Sequence, residues 1–153
     1  MSSFTLQIQS ANKLSTSSGG TFLFNMNWAS IPFLDRDADY EVNFSFVSDD
    51  LGATDATTIK KVYIVSLPDL GNRNCFLAGN TTSIKSGTEI GIVRPYAIGT
   101  NYAISATVQD NPSINFKGVP STNQFTVELW NINRDSKFNI TAAWILLLHF
   151  KKI

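Results

Sequence analysis

Along much of the chain, apolar and polar side chains alternate with a period of two. This is the mark of a half-buried strand whose successive side chains face opposite ways. Phe4, Leu6 and Ile8 alternate with Thr5, Gln7 and Gln9. From Thr21 to Trp28 the even positions are Phe22, Phe24, Met26 and Trp28, and from Tyr40 to Val47 they are Tyr40, Val42, Phe44 and Phe46. Tyr102, Ile104, Ala106 and Val108 continue the pattern, as do Phe125, Val127 and Leu129 before Trp130. Lys61 to Leu67 and Trp144 to Phe150 read as strands from their β-branched and aromatic content. Shorter candidates lie at Cys75 to Ala78 and Ile90 to Val93. No stretch places apolar residues at helical spacing, so helices are expected to be short or absent.

The breaks between these runs carry turn chemistry: Ser-Thr-Ser-Ser-Gly-Gly at 15–20, Asp49-Asp50-Leu51-Gly52, Pro68-Asp69-Leu70-Gly71-Asn72, Ser86-Gly87, Asp110-Asn111-Pro112 and Lys117-Gly118-Val119-Pro120. Eight or nine strands, several joined by connections too long for tight hairpins, predict an all-β, two-sheet sandwich. An eight-stranded jelly roll closes the strand count, with a closed up-and-down barrel as the competing topology. The 153 residues, with no internal repeat and no linker, are expected to form a single domain over 1–153.

Two of the runs depart from simple alternation. Tyr63, Val65 and Leu67 interleave with Val62 and Ile64, and Ile145 and Leu147 interleave with Trp144, Leu146, Leu148 and Phe150. A sandwich strand buries one face and shows water the other, so an apolar second face implies a cover. That cover is either the loop Ile31-Pro32-Phe33-Leu34 or a neighbouring subunit. Left exposed, Ile145 and Leu147 would each forgo about 1.5–3 kcal/mol of burial and make an adhesive patch. The residues expected at a subunit contact are therefore Tyr63, Val65, Leu67, Ile145, Leu147 and His149, with Phe33 and Leu34 beside them.

Composition narrows the chemistry. Twelve Lys and Arg offset twelve Asp and Glu, so a basic footprint for nucleic acid or an anionic membrane is missing. Only 16% of residues are charged, against about 25% on average. Uncharged polar side chains replace them, as 14 Asn, 16 Ser and 14 Thr. Charge repulsion thus does little to prevent association. Cys75 is the lone cysteine, so no intrachain disulfide can form and a reducing compartment is expected. Met1 is followed directly by Ser-Ser-Phe-Thr, so no export signal is expected, and the longest strongly apolar run, Ala142 to Leu148, is too short to span a bilayer as a helix.

Candidate sites are few. Asp35, Asp37 and Asp39 alternate in a manner that can converge oxygen ligands on calcium, but Tyr40 stands where an EF-hand needs glycine and Phe46 where it needs glutamate. A solvated loop before a strand is the simpler reading. Cys75 and His149 form a nucleophile and base only if two strand-like segments meet. Glu41, Glu89 and Glu128 are conceivable halves of a glycosidase carboxylate pair, with no spacing to bring them together. Trp130 and Tyr96 are the aromatic candidates for stacking on a sugar ring. No cofactor, metal or catalytic set is expected, and a carbohydrate-binding sandwich is the alternative to a structural protein.

The stretch Trp28-Ala29-Ser30-Ile31-Pro32-Phe33-Leu34, then Tyr40-Glu41-Val42-Asn43-Phe44-Ser45-Phe46, and the closing Trp144-Ile145-Leu146-Leu147-Leu148-His149-Phe150 with a very short tail resemble the small single jelly-roll capsid proteins of large icosahedral double-stranded DNA viruses. Penton and minor capsid proteins are the nearest kinds. The resemblance follows strand order over most of the chain and implies a non-enzymatic building block of the virion, made in the host cytoplasm. Its partners would be further copies, as a homopentamer at an icosahedral vertex, and neighbouring capsid proteins, with no nucleic acid and no membrane insertion. Such families often carry longer terminal arms. Here Phe4 already begins a strand, so the lateral walls would have to supply the adhesion.

Overall fold

The computed structural model describes residues 3–32, 34–51, 62–70, 76–77, 85–86, 88–107, 111, 113–117, 120 and 122–153. Its strands are β1 (Ser3–Gln9), β2 (Thr21–Asn25), β3 (Asp39–Ser48), β4 (Tyr63–Ser66), β5 (Phe76–Leu77), β6 (Lys85–Ser86), β7 (Glu89–Ile98), β8 (Asn101–Ala106), β9 (Ile114–Lys117), β10 (Gln124–Asn131) and β11 (Trp144–Lys152). The helices among the described residues are two single 3₁₀ turns, Ser10–Asn12 and Trp28–Ser30.

The pairing is nested. β1 pairs antiparallel with β11, β2 with β10, β3 with both β8 and β9, and β4 with β7. The first half of the chain thus runs as one long antiparallel hairpin against the second half, with its bend between β4 and β7. The small β5–β6 ribbon sits in that bend. Lateral pairing of β11 with β3 and of β10 with β4 rolls this hairpin into two layers. One layer reads β1-β11-β3-β8 and the other β7-β4-β10-β2, which is the jelly roll expected from the strand count.

β7 belongs to both layers. Gly91, Ile92 and Val93 pair with β4, whereas Arg94 to Ile98 pair with β8. The switch falls between Val93 and Arg94; Gly91, on its β4-paired side, has a φ of +152° and close neighbours, the Phe44 ring and the Asn111 amide, that leave no room for a Cβ. Asn111 takes the place of a missing strand there: its Oδ1 accepts from the Ile92 N–H at 2.9 Å and its Nδ2 donates to the Ile92 carbonyl at 3.2 Å.

The alternation sorts side chains as the period of two requires. Along β3, Tyr40, Val42, Phe44 and Phe46 are buried, and along β11 so are Trp144, Leu146, Leu148 and Phe150. The layers meet through aromatic contacts: Trp144 of β11 lies edge-on to Phe22 and Phe24 of β2, with centroids 5.2 and 5.9 Å apart, and stacks on Phe46 at 5.5 Å.

Three expectations are corrected here. Tyr63, Val65 and Leu67, placed at a subunit contact by the sequence, are 3%, 0% and 0% exposed and belong to the core. Both faces of that run are apolar, and the layer's register turns the odd positions inward. β2 ends at Asn25, three residues earlier than its pattern, because the Met26 N–H goes to the Asn123 carbonyl and Trp28 enters a 3₁₀ turn. β7 runs five residues past Val93, through Pro95, which pairs with Ile104.

Candidate functional site

The register places the expected contact residues in ladders across the outer face of the first layer. One ladder is Gln9, Ile145, Val47 and Ser105; the next is Gln7, Leu147 and Ser45; the third is Thr5, His149 and Asn43; the last is Ser3, Lys151, Glu41 and Asn115. The face therefore runs from apolar at one end to charged at the other. Ile145 and Leu147 are partly exposed and Val47 is 46% exposed. Open hollows lie on both sides of this group, one against Gln9, Ser10 and Ala143 and the other against Ser105, Ala106 and Thr107. Arg94 stands opposite Ser105, so alternation along β7 carries Tyr96 and Ile98, both well exposed, to the same side.

His149 is held in place rather than free. Its Nδ1 lies 3.0 Å from the Thr5 hydroxyl, directly across the β1–β11 ladder. Cys75 and Phe33 lie outside the described residues. Leu34 and Ile31 pack against the chain's own core.

The second layer carries apolar groups outside as well, and one of them, Trp130, has a cation laid on its ring. Trp130, Ile64 and Ile92 form one ladder. Lys137 crosses it with Nζ 5.1 Å from the Trp130 ring centroid, 2.5 Å from Glu128 Oε2 and 2.7 Å from Thr21 Oγ1. The segment passes this closely because residue 20 is glycine: with φ at +83°, it has the Lys137 Cβ and the Phe138 backbone where its own side chain would stand. The cation on Trp130 occupies the ring surface a sugar would need. Tyr96, its expected companion, sits on the β7–β8 hairpin in a different ladder. The structure does not bring the two together.

The carboxylates are similarly dispersed. Asp35 takes the Lys152 ammonium at 2.9 Å and the Asp37 N–H at 3.1 Å, while Asp39 stands in the β3–β9 ladder. Lys152 and the Asp37 amide hold the Asp35 carboxyl below the ordinary carboxylate range, and Asp35 in turn raises Lys152. Among the described residues no three His, Cys, Asp or Glu side chains are grouped to hold a metal. Glu41 accepts from Ser113 at 2.6 Å, Glu89 pairs with Arg134, and Glu128 pairs with Lys137. Each potential acid is engaged by a different partner.

No family model matches the chain, and no curated protein matches it. Among solved structures it is similar to the mavirus penton protein, at 15% identity and a TM-score of 0.41, over 61% of this chain and 33% of that one. The chain thus spans about a third of the length of that protein. The fold assignment stands on the nested strand order.

Proposed function

We propose that the chain is a non-enzymatic structural subunit of a viral capsid, of penton type, whose copies meet through the outer face of the β1-β11-β3-β8 layer. The observation that carries this reading is the contrast between two faces of one jelly roll. Lys137 covers the Trp130 ring on one, while on the other Val47 is 46% exposed beside Ile145 and Leu147, between two hollows. Contacts between unlike patches of identical copies close into rings, and a permanent assembly buries on the order of 1,000 Å² or more per contact. The exposed pair Tyr96 and Ile98 on the same side extends the surface available for it. The sequence resemblance to small single jelly-roll capsid proteins gives the assembly its setting, a virion assembled from subunits made in the host cytoplasm.

Native mass at micromolar concentration tests the reading. A ring of five 16.9 kDa chains supports it. Leu147→Asp and Val47→Asp are expected to remove the ring while leaving the β-sheet circular dichroism in place. A chain that stays monomeric at every concentration, or a pentamer indifferent to both substitutions, overturns it.

A further inference from the structure

The two layers end in edges that are treated differently. β2 is the edge of the second layer, and the β1–β2 connection is folded back along it. The Leu23 N–H donates to Ser17 Oγ at 2.7 Å and the Leu23 carbonyl accepts from Leu14 N at 2.8 Å. Ser18 and Thr21 exchange both backbone bonds, at 2.9 and 3.0 Å. That edge is sealed by the chain itself.

β1 is the edge of the first layer, and among the described residues it has no such cover. It pairs with β11 at all seven positions, without a bulge. On its other side, no backbone group from Thr5 to Gln9 has a partner among the described residues. Natural edges are protected by charge, proline, bulges or shortness. Ser3-Phe4-Thr5-Leu6-Gln7-Ile8-Gln9 contains no charge and no proline, and it is a full-length strand.

The strand is also its own complement. Laid antiparallel on a copy of itself about Leu6, it sets Leu6 against Leu6, Thr5 against Gln7, Phe4 against Ile8 and Ser3 against Gln9. Every apolar residue then meets an apolar one and every polar residue a polar one, with no like charges opposed. We propose that β1 is a two-fold docking edge on which the β1 of a second copy adds, joining the first layers of two chains into one continuous sheet. Such a contact is isologous and uses both edges at once, so it stops at the dimer. It is distinct from the outer-face contact and does not depend on it.

Thr5 and Gln7 are exposed, so their substitution tests the edge without emptying the core. Sedimentation equilibrium of the Val47→Asp chain, in which outer-face association is removed, should show a monomer–dimer equilibrium. Adding Thr5→Lys and Gln7→Lys, which puts lysine opposite lysine at both symmetry-related positions, should weaken dimerisation at least tenfold. Thr5→Lys with Gln7→Glu opposes unlike charges and should restore it. In a Cys75→Ser background, mixing a Thr5→Cys chain with a Gln7→Cys chain should give the mixed disulfide dimer in preference to either homodimer, because directly opposed strand positions lie within disulfide reach. A monomer in the Val47→Asp chain, equal dimerisation of the two charge variants, or no preference for the mixed disulfide overturns the proposal. None of these outcomes bears on the pentamer.

Discussion

The outer faces of the two layers pose the same physical problem and solve it differently. In the second layer Lys137 lies over the Trp130 ring and reaches Glu128 and Thr21, where Gly20 lets the 137–138 segment lie close. In the first layer Ile145 and Val47 pair with each other between Gln9 and Ser105, and Leu147 lies between Gln7 and Ser45. A chain able to close one face and leaving the other open has an asymmetry that a partner can use. The same difference recurs at the edges, where β2 is sealed by Ser17 and Leu14 while Thr5 to Gln9 of β1 have no such backbone partner among the described residues.

The sharpest way to break the comparison is to contrast neighbours on β11. Leu146→Ala removes a side chain that is fully buried between the layers and should cost about 2–5 kcal/mol by denaturant unfolding. Leu147→Ala, one residue on, should cost the isolated chain under about 1.5 kcal/mol, because its side chain already meets solvent. Near-equal costs would mean that the outer face of β11 is covered within the chain after all.

A smaller effect is expected from opening the closed face. Lys137→Ala removes a partly exposed ion pair and a cation on an indole, together worth about 1 kcal/mol. A double-mutant cycle with Trp130→Ala should return a coupling of about 0.5–1 kcal/mol. A coupling of zero would leave Trp130 available to ligands and reopen the sugar-stacking reading. Val47→Lys should change monomer stability by no more than about 0.5 kcal/mol, yet lower the association constant measured by sedimentation.

The smallest effect concerns the link between the C-terminal end and the 35–39 loop. Asp35 sits below its ordinary value in the folded chain, so its contribution is present above the unfolded carboxylate value and lost as pH falls through the folded one. Lys152 sits above its ordinary value, so its contribution is present below that value and lost as pH rises through the raised one. NMR titration of the Asp35 carboxyl should show the depressed midpoint, and Lys152→Ala should return it toward normal. Both side chains are exposed, so global stability should barely respond.

How much of this was legible in the sequence differs by element. β1, β3 and β10 could be read because a sustained period of two admits no competing helix, and β11 because of its β-branched and aromatic content. β9 was not read: Ile114 and Phe116 point inward and Asn115 outward, but a four-residue strand set between Pro112 and Gly118 is too short to stand out from a turn. The second half of β7 was hidden by Pro95, tolerated there in a hairpin arm. Of the expected contact residues, Ile145, Leu147 and His149 lie on the open face and Tyr63, Val65 and Leu67 in the core.

The amino-acid order by itself determined that this chain is a set of alternating strands, enough of them to close two layers, with little charge and no clustered chemistry in its spacing. Tertiary structure decided which face of a doubly apolar strand turned inward. Such a strand gains comparable burial either way, and only the hydrogen-bonded register of its neighbours breaks the tie. It decided equally that Lys137 lies over Trp130 while also reaching Thr21, 116 positions away, and that β2 is wrapped by the chain while Thr5 to Gln9 of β1 have no such backbone partner among the described residues. Which strand is left at an edge depends on the order of the whole sheet, and no local pattern encodes it.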